Sequence, residues 1–177
     1  MLKYLANITK EGQKRKLTGK DKRIISAVAI IMSLYQLWQS TFSSIQPLLH
    51  YSIHLTFILV LGYMLYTPYE GCDITKIPKH DYVLAILAAL SGIYYATQIP
   101  RYLLRWPQVD PLLALDIAAG IIIVLFVIEL TKRTMGLVLP SIGIIFLLYA
   151  LFGHLIPGYI GHRRIVPIDV LDQLVFT

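Results

Sequence analysis

The sequence predicts an all-α, polytopic membrane protein with about five spans, its N-terminus inside and its C-terminus outside. Three observations carry this. First, hydrophobic residues make up 56% of the 177 and charged residues only 15%, with a mean hydropathy of +0.66, and the apolar residues gather in runs too long for a soluble core. Second, residues 112–156 are almost wholly apolar and broken once, by the charged knot ELTKRTMG at 129–136. As one straight helix that stretch would reach about 68 Å, against a hydrocarbon core about 30 Å thick, so it must be two spans with a reversal between them. Third, alternating sides of five spans receive 12 and 4 of the 16 Lys and Arg, and the richer side is cytoplasmic by the positive-inside rule.

Residues 1–23 are polar and basic, holding Lys3, Lys10, Lys14, Arg15, Lys16, Lys20, Lys22 and Arg23 against Glu11 and Asp21. The formal charge of +6 is therefore concentrated beside the first apolar run, which fits a juxtamembrane anchor and not a nucleic-acid binder. A signal peptide is excluded, because no small-residue cleavage site follows Ile24 and further spans come after it. Nor is Gly19-Lys20 a phosphate-binding loop, since Gly12 is too far upstream and Asp21 stands where Ser or Thr is needed.

Span 1 is expected over 24–42, ending in an interfacial group of Tyr35, Trp38 and Phe42. An uncharged linker, 43–47, leads to span 2 over 48–66, which Pro47 can start because its missing N–H costs nothing in a first turn. Residues 67–81 carry Pro68, Gly71, Pro78 and several charges and are expected as a solvated loop. Span 3 is expected over 82–99, ending at Pro100. In it Ala88, Gly92 and Ala96 recur every fourth residue, a small-residue stripe that lets another helix come close.

The loop 100–111, with Arg101, Arg105 and Trp106, is expected at the interface. Span 4 follows over 112–131 and span 5 over 137–156, where Pro140 falls in the first turn and is tolerated. After Pro157 the chain is polar, and 168–176 is a last short stretch with one apolar helical face.

Charged residues at span borders are the first place to seek function. Asp116 sits where a carboxylate meets the positive end of a helix dipole. Glu129 precedes Lys132 and Arg133 by three and four residues, so the three can share a face in the favourable acid-before-base order. All of these lie near an interface, whereas transport sites lie near the midplane; structural roles are expected. His50 and His54 share a face of span 2 but lack a Glu after His50 and a third ligand, so no metal is expected. The lone Cys72 permits no intrachain disulfide and is read as a passive thiol. No Gly-x-Ser-x-Gly sequence occurs, and neither enzymatic activity nor a cofactor is expected.

The hairpin segments IELTKRTMGLVLP (128–140) and IIFLLYALFG (144–153) resemble the N-terminal part of the fused permease subunit of TRAP transporters of the TAXI type. LTGKDKRIISA (17–27), IHL (53–55) and LDQLVFT (171–177) are similar too. In that family a periplasmic substrate-binding protein delivers a small organic acid to a permease that imports it on a sodium or proton gradient. The resemblance implies a bacterial inner-membrane scaffold: residues 1–23 as a basic cytoplasmic segment, 24–131 as a four-span Q-like scaffold, 132–156 as a cytoplasmic turn and connecting fifth span, and 157–177 as an external tail leading to a transport domain outside this chain. The implied partners are the M-like transport domain, the periplasmic binding protein and the lipid bilayer. The alternative is a stand-alone membrane assembly or anchor protein acting through helix packing, with the Ala88 and Gly92 stripe buried in a self-dimer.

Overall fold

Among the described residues the chain forms six helices: α1 (Gly19–Phe42), α2 (Pro47–Leu65), α3 (Lys79–Leu104), α4 (Ala114–Met135), α5 (Val138–Phe152), extended by a 3-10 turn (Gly153–Leu155), and α6 (Pro167–Val175). The computed structural model describes residues 10–42 and 45–177; Lys3 and the rest of the extreme N-terminus, and Ser43 and Ser44 of the first linker, lie outside them. Among the described residues five helices are long and apolar enough to cross a membrane, counting α5 with its 3-10 turn. This is the expected number.

Local chemistry explains most of the boundaries. Pro47 opens α2, and the Gln46 side chain caps it by accepting from the Leu49 N–H at 2.9 Å. Two expected boundaries are corrected. α3 does not stop at Pro100 but continues to Leu104. A proline forfeits one helical hydrogen bond, and here the following turn is held from outside, because Arg101 and Tyr102 both bind Asp116 of α4. At 26 residues α3 is about 39 Å long and overshoots a hydrocarbon core of about 30 Å.

The reversal between the last two spans does fall in the charged knot, but only at its last residue and not from 132 onward. Lys132 and Arg133 lie in the last turn of α4, where cations favour the negative end of the helix dipole, and the reversal falls at Gly136. Its φ of +71° is the backbone setting a glycine adopts without steric cost.

α2 and α3 form the most extensive helix pair; α4 packs across both, α1 lies against α2, and α5 leans on α4. The core is divided. One cluster, at the end rich in Lys and Arg, contains Ile25, Leu59, Tyr63, Met64, Ala85, Ala88 and Leu130. The other, at the far end, contains Tyr95, Ile99, Tyr102, Ile123 and Phe176. Phe176 reaches it because α6 folds back against α4, where its ring stacks on Tyr95 and meets Tyr102 edge-on.

Candidate functional site: two buried ion clusters and the cleft between helices

The first cluster is centred on Asp81. The sequence suggested a solvated loop residue; instead Asp81 lies in the first turn of α3 and is fully buried. Its carboxylate accepts from the Arg133 guanidinium at 2.8 Å and from that of Arg15. Arg15 arrives on an extended strap. The Arg15 N–H donates to the Leu65 carbonyl, the Lys16 N–H to that of Ile74, the Gly12 N–H to that of Arg133 and the Thr67 N–H to that of Gln13, all at 2.8–3.0 Å, and Lys14 makes an isolated antiparallel bridge with Tyr66. Strap backbone thus ties the ends of α2 and α4 to the loop before α3.

The Arg15 side chain, 1% exposed, also donates to the carbonyls of Tyr63 and Met64 at 2.9 and 3.0 Å. These belong to the last turn of α2, whose carbonyls lack intrahelical donors and carry partial negative charge. One guanidinium therefore answers both a helix end and a carboxylate. Arg133 receives further support from Glu129 at 3.1 Å, and its guanidinium lies 4.8 Å from the centre of the Tyr63 ring. Lys132 pairs with the other Glu129 oxygen at 2.7 Å. Glu129, Lys132 and Arg133 do share a face, but Arg133 is only 2% exposed, drawn inward by Asp81.

The second cluster is built at the opposite ends of α3 and α4. Asp116 is fully buried and accepts from the hydroxyls of Tyr94 and Tyr102, both at 2.8 Å, from Arg101 at 2.6 Å and, through its other oxygen, from the Leu113 N–H at 2.8 Å. Beside it Arg105 pairs with Asp172 of α6, which also accepts from the Gln108 N–H at 2.9 Å. Asp81 is matched by two guanidiniums, and Asp116 and Asp172 each by a guanidinium and by neutral donors, the condition under which burial of charge is tolerated. Such a cluster holds helices at set positions. Its partners are remote in sequence, so the only signal available was that charges bordering apolar spans need partners.

The small-residue stripe is used inside the chain. Ala88 and Gly92 are buried and Ala96 is half-buried. A Cβ added at Gly92 would come within 1.9 Å of Thr56 Oγ1, so α2 occupies the space the glycine leaves. His50 and His54 face α1, with the Tyr35 hydroxyl 3.2 Å from His50 Nδ1 and the Gln36 amide beside His54 Nδ1. Among the described residues no group of three or more His, Cys, Asp or Glu is placed to hold a metal ion. Cys72 is half-buried in the loop before α3.

Between α5 and the rest of the bundle runs an apolar cleft of about 980 Å³. Leu55, Leu59 and Ile123 line one wall and Ile142, Phe146 and Leu147 of α5 the other, while Gln173 and Leu174 of α6 border it at the far end. α5 contacts α4 and α6 but neither α2 nor α3, and Pro140 is its one buried residue. No family model matches the sequence, and neither a curated protein nor a solved structure matches it.

Proposed function

We propose that this chain is the membrane scaffold part of a TRAP-type secondary active permease. In this reading it stands in a bacterial inner membrane with its basic end in the cytoplasm and supports an M-like transport domain that imports small organic acids delivered by a periplasmic binding protein. The observation that carries it is the cleft beside α5, an apolar slot lined along α5 from Leu139 to Ala150, with a helix standing off the core on one side and a core pinned at both ends by buried ion pairs on the other. A scaffold needs both features: a body whose own helices do not shift, and an apolar flank into which partner helices can pack. The resemblance of 128–140 and 144–153 to the TAXI-type permeases names the partner. The stand-alone anchor reading would have the Ala88 and Gly92 stripe buried in a self-dimer, whereas Thr56 of α2 lies against Gly92.

The experiment is co-purification with a TAXI-type M-like domain. Gly143 lines the cleft, and a Cβ placed there meets nothing within 4 Å, so Gly143→Trp fills the slot without disturbing the scaffold's own packing. The wild-type chain is expected to co-purify and the variant to fail while keeping its thermal stability. Absence of association by the wild-type chain, or full association by the variant, would overturn the scaffold reading.

A further inference from the structure

Several cations at the basic end take no part in the buried cluster. Strap residues alternate in the manner of extended chain: Arg15 turns inward, while Lys14 and Lys16 on either side of it are exposed. Lys20 and Arg23 in the first turns of α1 are exposed as well, and among the described residues none of the four makes an ion pair. The nearby Asp21 is turned to α3, where the Tyr82 hydroxyl donates to it at 2.9 Å.

α1 itself is barely part of the core, with Ile25 as its single buried residue. At helical spacing Lys20, Arg23, Ile24, Ile31, Leu34 and Trp38 fall on one face, and the four apolar members are 48%, 56%, 60% and 48% exposed. From Lys20 to Trp38 this face covers about 27 Å, close to the thickness of a hydrocarbon core. Cations at the head and an apolar strip crossing the bilayer make a surface that matches an anionic lipid in charge. The half of the strip next to the cations is long enough for its acyl chains, since one leaflet is about half of the hydrocarbon core.

The geometry points to a binding surface for an anionic phospholipid: its phosphate lies against Lys16, Lys20 and Arg23, and an acyl chain runs along the outer face of α1. The strap is what assembles this surface. By placing Arg15 in the core it holds Lys14 and Lys16 beside the start of α1, and the dipole of that helix adds positive potential at the same end.

The test uses the full chain in nanodiscs of mixed phosphatidylglycerol and phosphatidylcholine, with lipid retention read by native mass spectrometry after release into detergent. Wild-type protein is expected to retain phosphatidylglycerol in preference to phosphatidylcholine. In K16Q/K20Q/R23Q that preference falls about fivefold for each charge removed, whereas the charge-preserving K16R/K20R keeps it. R163Q/R164Q, exposed at the opposite end, leaves it unchanged. Equal retention of both lipids by the wild type would overturn the proposal, as would an equal loss in R163Q/R164Q or a loss in K16R/K20R. Displacement of phosphatidylglycerol by millimolar inorganic phosphate would show a free-anion site and overturn it too.

Discussion

Arg15→Gln removes the guanidinium that joins the strap to the core, and its cost can be worked from the structure. The side chain is 1% exposed and donates to Asp81 and to two carbonyls of α2. Taking one partner from a buried ion pair costs about 3–5 kcal/mol. The lower value applies here, because Asp81 keeps Arg133 at 2.8 Å and glutamine can still donate to one carbonyl. Asp81→Asn should be worse, at about 5 kcal/mol, since it leaves Arg15 and Arg133 facing each other in the interior with no carboxylate between them. The double variant should cost less than the sum of the two, as contacting groups are not additive. Thermal and denaturant unfolding in detergent measure the order, and hydrogen exchange at Gly12, Arg15 and Lys16 reports whether the strap opens. An Arg15→Gln protein within about 0.5 kcal/mol of wild type, the range of an ordinary surface change, would refute the reasoning. So would Asp81→Asn proving the milder of the two.

Gly92→Val should cost about 1–3 kcal/mol through overpacking, because the new side chain meets Thr56, and Thr56→Ala should recover part of it in the same unfolding assay. Asp116→Asn should cost about 1–3 kcal/mol: whichever way the amide is turned, its NH2 meets a group that can only donate, either the Leu113 N–H or the Arg101 guanidinium. Equal melting of variant and wild type would contradict that. His162 in the segment after α5 has Nε2 2.9 Å from the Tyr149 carbonyl and Nδ1 2.6 Å from its neighbour's, that of Arg163, and only the imidazolium can donate to both. These carbonyls raise its pKa above the ordinary 6.5 of a histidine, that of Tyr149 most. The tether is then fully formed below pH 6.5 and weakens as pH rises through the raised value. Nitrogen-detected NMR should show both ring nitrogens protonated well below pH 6.5 and the change to the neutral ring centred above it, and exchange of the 157–166 amides should quicken as pH rises through that change.

The hairpin at 112–156 shows how far a linear reading reaches. Apolar length alone demanded two spans, and the i, i+3 and i, i+4 pairing of Glu129 with Lys132 and Arg133 appears in the structure as expected. What moved was the end of span 4, from 131 to Met135. A helix tolerates cations in its last turn, so the boundary moved to the residue able to take positive φ, Gly136. Pro100 failed as a stop for a related reason: the turn after it is held by Asp116, sixteen residues further on.

Number and order of the spanning helices, then, were legible in the sequence by itself, because hydropathy and length are properties of contiguous residues and a bilayer tests them one segment at a time. Only the tertiary structure decided which charges are inside. Lys14, Arg15 and Lys16 are equivalent in a linear reading, yet extended backbone registered on Leu65 and Ile74 sends Arg15 alone into the core. Its carboxylate partner, Asp81, looked like a loop residue until three helix ends met around it. Ion pairing across such separations depends on how helices pack, and each charge taken alone is indistinguishable from one that faces water.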